Sequence, residues 1–238
     1  MKSQTINLLR KEIRLGNSVQ TIIWFICAIG MSFIPSYPVY VGPFYITLAI
    51  MMTFALNQSS HDILYTVLLP VRKIDTVKAR FLYCGLLEVI VLLAAVLIAV
   101  LKHKLHFPQN KAGIDLTIAY FGLQMIIFAV FNSIFLGNVY KDPLKPGLRY
   151  LIAAIMYFII YAICELPMWI YFHFSEAIAA GQTDNVPALA KIGLMLSATE
   201  GPLLTKQCIV LFAGFLIFAG SWYLTFRRAA RQFENYDM

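Results

Sequence analysis

The sequence predicts an all-α polytopic membrane protein with six transmembrane helices, from its composition, its hydropathy pattern and its distribution of charge. Of the 238 residues, 60% are hydrophobic and 13% are charged, whereas a soluble domain has about 25% charged residues. Six apolar runs approach or exceed the roughly 20 residues that a helix needs to cross a bilayer, and they are too long for barrel strands. Because no internal repeat divides the chain, we predict one domain, 1–238. The runs are about 20–36, 39–57, 81–101, 116–136, 150–172 and 207–226.

The first apolar run follows a polar segment, about 3–15, that is predicted to form a helix of its own. In this segment Ile6, Leu9 and Ile13 share one face and the basic side chains lie off it, which is typical of a helix at a membrane surface. The run itself has no small-residue cleavage site and is followed at once by another span. We therefore interpret it as an uncleaved transmembrane helix and not as a signal peptide.

Basic residues are distributed unevenly between the two sides of the predicted bundle. With six spans both termini share one side, and that side carries 14 of the 19 Lys and Arg residues. Because basic residues stay on the cytoplasmic side, we predict a protein of the cell membrane with both termini in the cytoplasm. The net charge of +7 indicates contact with anionic lipid headgroups. It does not indicate nucleic-acid binding, since the basic residues are divided among four short segments.

Two of the connections between spans have distinctive compositions. Residues 137–147 contain Pro143, Pro146 and Gly147, which argue against a helix and predict a cytoplasmic loop. Residues 173–206 form the longest external connection, in which glycine and proline interrupt two short apolar pieces. We predict that this connection contains one or two short helices that do not cross the membrane.

The connection between spans 2 and 3, LNQSSHDILYTVLLPVRKIDTVKARFLY (56–83), is both basic and apolar. Ser59 is followed three residues later by an acid, and this capping-box spacing predicts a short helix at about 60–69. Pro70 separates it from a second helix, which is predicted to run from about 72 into span 3. From the residues alone, the hairpin is either a docking surface for a protein or an amphipathic helix lying on lipid. The apolar patch of its first helix consists of Ile63, Leu64, Val67 and Leu68.

Two carboxylic acids fall inside predicted spans. Glu88 lies in span 3, and Glu165 lies in span 5, two residues before Pro167, which is expected to kink that helix. An ionised carboxylate in hydrocarbon is costly, so such residues usually face the bundle interior or a water-filled cavity. Both acids are therefore candidates for lining a substrate cavity or relaying protons. They are equally candidates for hydrogen-bonded carboxyl groups that hold two helices together.

The sequence lacks the motifs of the common ATP-binding and hydrolytic sites. It contains no GxxxxGK[ST] phosphate loop, no HExxH zinc motif and no GxSxG nucleophile motif. His103 and His106 have no further ligands near them, so two exposed loop histidines are the simpler interpretation. We therefore expect no cofactor, no metal and no catalytic residue in this chain.

The segment ILYTVLLPVRKIDTVKARFLY resembles the signature segment of the permease subunits of ABC-2 type ATP-binding-cassette exporters. In one branch of that family, a run like L-L-x-x-L-P-V-S-R-x-D/E-I-V-x-A-K/R-Y follows span 2. The sequence departs at Arg72, where the family favours a serine that would cap the second helix, and at Thr76, where it favours an aliphatic residue. The family layout of a surface helix, six spans and a long connection before span 6 covers the whole chain. The matching residues are Leu64, Leu69, Pro70, Val71, Lys73, Asp75, Val77, Ala79, Arg80 and the aromatic Phe81.

The resemblance implies a dimer with an identical or homologous second permease chain, coupled to two separate ATPase subunits. The helix after span 2 would be the coupling helix, which sits in a groove of the ATPase. ATP hydrolysis would take place on those partners. Because the spans offer apolar walls and few charges, we expect the exported substrate to be an amphipathic peptide, an antibiotic or a lipid-like molecule. The residues that would couple the chain to the ATPase are Ile63, Leu64, Val67, Leu68, Pro70, Arg72, Lys73 and Asp75.

Three other functions are open from the sequence. A proton-coupled secondary transporter would use Glu88 and Glu165, although no repeat relates the two halves of the chain. An intramembrane enzyme would need a paired His or acid motif at helical spacing, which is absent. A small immunity or sensor protein would have no ATPase partner.

Overall fold

The computed structural model of the protein describes residues 2–60, 65–66, 68, 71–108, 110–142, 145–179, 186–199 and 201–235. Over these residues the chain is helical and contains no β-strand, so the all-α prediction is confirmed for the described part. The main helices are α1 (Lys2–Gly16), α2 (Val19–Met31), α3 (Val41–Ser59), α4 (Lys73–Lys104), α5 (Ile118–Ile134), α6 (Leu136–Val139), α7 (Pro146–His173), α8 (Ser175–Ala179), α9 (Ala188–Ser197) and α10 (Leu203–Glu234).

Five helical stretches in the described residues are long and apolar enough to cross a membrane. They are α3, α4, the stretch Ile118–Val139 that joins α5 and α6, α7 and α10. By contrast α2 has 13 residues, about 20 Å of helix, which is short of a hydrocarbon core of about 30 Å. It would make a sixth span together with α1, from which it is bent by 78°. The fold is that of a multi-pass membrane protein with five or six helices able to cross.

Two of the long helices extend beyond the predicted spans. α4 has 32 residues and begins at Lys73, so the prediction that the second helix of the hairpin runs into span 3 is confirmed. α7 begins at Pro146, with Gly147 in its first turn, and the prediction that these two residues prevent a helix is wrong. Proline is tolerated at the first helical position, because the N–H that it lacks would have no partner there.

The capping role predicted for Ser59 involves backbone at 61–64, which lies outside the described residues. Ser59 is the last residue of α3, and its hydroxyl donates to the carbonyl of Leu56 at 2.9 Å. Serine hydroxyls bond to the preceding helical turn as readily as they cap a following one. Ser59 therefore ends span 2, and its hydroxyl bonds to the preceding turn.

The buried face of α1 differs from the predicted face. Ile6 belongs to the predicted apolar face but is 56% exposed, whereas Leu8 is only 7% exposed and Glu12 only 4%. Leu9 and Ile13 are partly buried against the core. The reason is that α1 packs along α4, so the side facing α4 is buried and Ile6 points away from it.

α5 and α10 cross with their backbones in contact. Gly122 and Gly214 make this possible, because a Cβ on Gly214 would lie 2.7 Å from the carbonyl carbon of Gly122. Further along, the hydroxyls of Ser133 and Thr225 are 3.3 Å apart and share a hydrogen bond. Small residues and hydroxyl pairs are what hold helices together in lipid, where apolar burial between helices gives little gain.

The 173–206 connection contains two short helices in its described part, as the sequence predicts. α8 has 5 residues and α9 has 10, so neither is long enough to span the membrane. α9 packs on α7, where Gly193 lies directly against the carbonyl of Pro167 and the side chain of Tyr171. The second short helix therefore rests on the bundle beside the proline of α7, which continues through Pro167 without a break.

Contacts between segments that are distant in sequence define two ends of the bundle. At one end, called the basic end below, Lys73 at the start of α4 donates to the carbonyl of Glu234 at the end of α10, at 3.4 Å. The four segments with most of the basic residues lead to this end. At the opposite end, Lys102 pairs with Asp115 at 3.2 Å. This grouping of basic segments is the one that six crossings would produce.

We expect tags at residues 1 and 238 to be accessible only from the cytoplasm, because 14 of the 19 Lys and Arg residues lie on the segments of the basic end. Cysteines at the exposed positions Lys111 and Lys141, in a variant whose four native cysteines are replaced, extend the test. A membrane-impermeant maleimide added to intact cells should label position 111 and not position 141. Labelling of a terminus or of position 141 from outside would contradict this topology.

Candidate coupling surface and buried carboxylates

The predicted coupling segment is described in part. Leu68 is 83% exposed, and the neighbouring Tyr65 is 68% exposed. They are three residues apart, the spacing at which two helical side chains lie on one face. Large apolar side chains exposed in this way mark a surface that a partner or lipid covers. Of the other predicted coupling residues, Arg72, Lys73 and Asp75 are described, and Ile63, Leu64, Val67 and Pro70 lie outside the described residues.

Thr66 holds this exposed surface to the bundle. Its side chain is 1% exposed, and the ammonium group of Lys11 donates to its hydroxyl oxygen at 2.6 Å. Lys11 belongs to α1, so one side of the segment is fixed to the N-terminal helix. The apolar side chains of Tyr65 and Leu68 are presented on the other side.

Hydrogen bonds also fix the start of α4. Arg72 Nε donates to Asp75 Oδ2 at 3.0 Å, and Thr5 of α1 donates to Asp75 Oδ1 at 3.4 Å. A carboxylate in the first turn is favourable, because the N-terminus of a helix carries partial positive charge. The helix begins at Lys73 although Arg72 makes no side-chain cap, and the ion pair between Arg72 and Asp75 links the residue before the helix to its first turn.

A buried ion pair joins α1 to α4 one turn further in. Arg80 Nε donates to Glu12 Oε1 at 3.4 Å, and the two side chains are 3% and 5% exposed. The guanidinium of Arg80 also lies over the ring of Phe54 in α3, 5.6 Å from its centroid. Removing either partner of a buried pair leaves an uncompensated charge, so α1 and α4 are held as one body. Glu12 is absent from the predicted site residues, because its pairing with Arg80 is visible in the structure and not in the sequence.

Glu88 of α4 is fully buried and contacts Asn132 of α5. The Asn132 amide donates to Glu88 Oε2 at 3.0 Å, and both side chains are 0% exposed. Among the described residues, Glu88 Oε1 and Asn132 Oδ1 have no hydrogen-bond partner. The carboxyl group therefore faces protein, as predicted for an acid within a span, and ties two transmembrane helices together.

Glu165 of α7 is also fully buried, and its partner is backbone. Its two carboxylate oxygens accept from the N–H of Ile114 at 3.2 and 3.0 Å. Gly113 leaves room for this carboxylate, since a Cβ there would lie 2.5 Å from each of its oxygens and would displace it. One turn along α7, the indole of Trp169 donates to the carbonyl of Ala112 at 3.3 Å. Glu165 thus fixes the connection between α4 and α5 to the side of α7.

That connection is a hydrogen-bonded unit at the end opposite the basic end. The side-chain amide of Asn110 donates to the carbonyl of Tyr37 at 3.1 Å, and its oxygen accepts from the N–H of Ala112 at 2.8 Å. Asp115 accepts from Lys102 at 3.2 Å and from the N–H of Asn110 at 3.1 Å. The connection therefore links the end of α4 to the turn between α2 and α3.

Gln207 of α10 satisfies the terminal backbone groups of two other helices. It is 0% exposed, and its amide nitrogen donates to the carbonyls of Met195 and Ala198 at 2.7 and 2.8 Å. Its oxygen accepts from the N–H of Ala119, in the first turn of α5, at 3.4 Å. The last carbonyls and first N–H groups of helices have no partner within the helix. The sequence contains no local sign of this role.

The described residues offer no evident metal site. They contain no group of three or more His, Cys, Asp or Glu side chains placed to hold an ion. His103 lies in the last turn of α4 and His106 just beyond it, and both are exposed.

Comparisons with known proteins identify no relative of this chain. No protein-family model matches the sequence, no curated protein matches it, and no solved structure matches it. The assignment of function therefore depends on the residues and contacts described above.

We expect Glu165→Leu to lower the melting temperature by several degrees and Glu165→Gln to leave it close to that of the wild type. Leucine leaves the N–H of Ile114 buried without an acceptor, at a cost of about 1–3 kcal/mol, whereas glutamine keeps an oxygen at that place. Thermal unfolding of the detergent-purified variants measures the difference. If the leucine variant melts with the wild type, Glu165 does not hold the connection and its structural role is excluded.

Proposed function

We propose that this chain is the membrane-spanning permease subunit of an ABC-2 type ATP-binding-cassette exporter in the cell membrane. It would work as a dimer with an identical or homologous chain and with two separate ATPase subunits. One observation carries the proposal. The segment that resembles the family signature exposes Tyr65 and Leu68. The same segment is held at the basic end by the hydrogen bond from Lys11 to Thr66.

A coupling surface has to move together with the helices that it drives. Two contacts meet this requirement. Lys11 of α1 donates a hydrogen bond to Thr66 at 2.6 Å, and the buried ion pair of Glu12 and Arg80 joins α1 to α4. A force applied at Leu68 therefore reaches α1 and α4 together. A helix that only lay on lipid would not require the segment next to it to be fixed by a buried ion pair such as that of Glu12 and Arg80.

α4 is suited to carry that movement across the membrane. It is continuous over 32 residues, about 48 Å. Near its far end Lys102 pairs with Asp115, in the connection that Glu165 holds against α7. A rotation of α4 at the basic end would thus be passed to α7 at the opposite end. Rocking of packed helices between two arrangements is a common form of such transitions.

The substrate proposed is an amphipathic peptide, an antibiotic or a lipid-like molecule. In the described part, the membrane-spanning helices carry mostly apolar and aromatic side chains, and the acids buried within the predicted spans are Glu88 and Glu165, whereas the buried acids Glu12 and Asp75 lie at the basic end. Walls of this composition suit a molecule with a large apolar surface and few charges.

A proton-coupled secondary transporter is the second candidate, and one observation favours it. Glu88 Oε1 is buried without a partner among the described residues. Glu165, the other acid of such a relay, is bonded to backbone at the opposite end instead. Proteoliposomes that hold this chain alone distinguish the two candidates. Efflux of a fluorescent amphipathic dye driven by a pH gradient would favour the secondary transporter, and efflux that needs ATP and ATPase subunits would favour the exporter.

Photo-crosslinking from position 68 tests the proposed partner directly. A benzophenone amino acid in place of Leu68 should form an adduct with a protein that contains a GxxxxGK[ST] loop, identified by mass spectrometry. The matched control is Leu97, which is 71% exposed in the last third of α4, within span 3, and should react with lipid only. If position 68 also reacts only with lipid, the hairpin is a surface helix and the proposal fails.

A further inference from the structure

An open groove lies at the C-terminal end of α10, on the surface of the basic end. Its volume is about 320 Å³, and it is lined by Leu224, Arg227, Arg228, Arg231 and Gln232. The first four are spaced i, i+3, i+4 and i+7, so one face of the helix carries them. Three guanidinium groups therefore converge on one groove, and its lining contains no acidic side chain.

Neighbouring side chains orient two of these arginines. Arg228 donates from Nη2 to Asn138 Oδ1 at 2.8 Å, and the guanidinium of Arg227 lies over the ring of Tyr223, 5.4 Å from its centroid. Within the described part of the chain, none of the three arginines forms an ion pair with a carboxylate. Their positive charge therefore stays available to an anion from outside the chain.

The groove continues into an apolar surface. On the side toward the membrane, Tyr223 and Leu224 are 57% and 66% exposed, and further along α10 Leu216 and Phe212 are 53% and 63% exposed. Tyrosine is enriched where a helix passes from hydrocarbon to headgroups. The three arginines thus stand at headgroup level, directly beside a face that acyl chains can cover.

We propose that this groove binds the phosphate of an anionic phospholipid, with its acyl chains along the exposed face of α10. Arginine holds phosphate by paired N–H···O bonds, and each basic residue near an anionic surface strengthens its attraction about fivefold. A free phosphate ion offers the same oxygens to the arginines but nothing to the apolar face. The continuity of groove and apolar face selects the lipid. This inference is independent of the proposed transport function.

Native mass spectrometry of the detergent-purified protein tests the site, with dioleoylphosphatidylglycerol and dioleoylphosphatidylcholine as the two probes. The wild type should retain one phosphatidylglycerol at concentrations where phosphatidylcholine is lost. R227Q/R231Q, which leaves the hydrogen bond of Arg228 intact, should weaken phosphatidylglycerol binding about 25-fold, at about fivefold for each arginine. R227K/R231K should restore only part of it, because lysine keeps the charge but not the paired N–H···O bonds of arginine.

A double variant of the exposed lysines Lys141 and Lys145 to Gln removes the same number of positive charges and is the control for net charge; it should bind phosphatidylglycerol like the wild type. Equal losses in the control and in R227Q/R231Q would overturn the proposal, because binding would then follow overall charge. Undiminished binding in R227Q/R231Q would also overturn it. So would displacement of the lipid by millimolar inorganic phosphate, since the groove would then be a site for a soluble anion.

Discussion

The proposed function predicts that replacement of Leu68 by Asp releases the ATPase subunits from the purified complex while the chain itself stays folded. Leu68 is 83% exposed, so the substitution costs the free chain little. In the complex the side chain would fill a groove of the partner, and a carboxylate buried there without a partner costs about 2 to 4 kcal/mol. That corresponds to a loss of affinity of about 30-fold to about 1,000-fold. Quantitative co-purification of the ATPase with tagged permease measures it.

Ile6→Asp is the matched control for this substitution. Ile6 is 56% exposed on α1, also toward the basic end, and the same charge is introduced there without touching the hairpin. The control should retain its ATPase. Normal recovery of the ATPase with Leu68→Asp would mean that the hairpin is not the coupling element, whatever the rest of the chain does.

Gly214→Ala should strongly destabilise the bundle, although it adds a single methyl group. The new Cβ would lie 2.7 Å from the carbonyl carbon of Gly122 and 2.8 Å from its Cα, where about 3.5 Å is needed. α5 and α10 would have to separate by about 1 Å along their crossing. Overpacking of this kind costs about 1–3 kcal/mol, and we expect a clear fall in melting temperature and in the yield of monodisperse protein.

Gly220→Ala is the matched control on the same helix. A Cβ on Gly220 meets nothing within 4 Å, and alanine is the better helix former by up to about 1 kcal/mol. This variant should melt at or slightly above the temperature of the wild type. Equal melting of the two variants would show that the close crossing at Gly214 and Gly122 does not contribute to stability.

The long helices could be predicted because hydropathy is a local property of the sequence. An apolar run of about 20 residues is long enough to form a transmembrane helix and too long for a barrel strand. The presence of α4 and α7 could therefore be predicted from their residues alone. The burial of Glu88 and Glu165 was predictable on the same ground, because hydrocarbon tolerates no exposed carboxylate. The short helices of the 173–206 connection follow from the glycine and proline that interrupt it.

The partners of the buried groups could not be predicted, because they are set by packing between distant segments. Glu165 bonds to the backbone N–H of Ile114, 51 residues away, and a backbone group has no signature in the sequence. Gln207 would look the same in sequence if it faced lipid. A similar limit applies locally at Ser59, because a serine at the end of a helix can bond to the preceding turn, and here its hydroxyl donates to the carbonyl of Leu56.

Purification of the tagged chain from its native membranes, followed by identification of every protein that comes with it, tests the central claim most directly. The proposed function predicts recovery of an ATPase with a GxxxxGK[ST] loop in equal amount to the chain, in a particle that contains two copies of each. Its recovery should fall at least tenfold with Leu68→Asp and stay unchanged with Ile6→Asp. A chain that purifies without any ATPase, and is fully folded and active in that form, would show that it does not work with separate ATPase subunits.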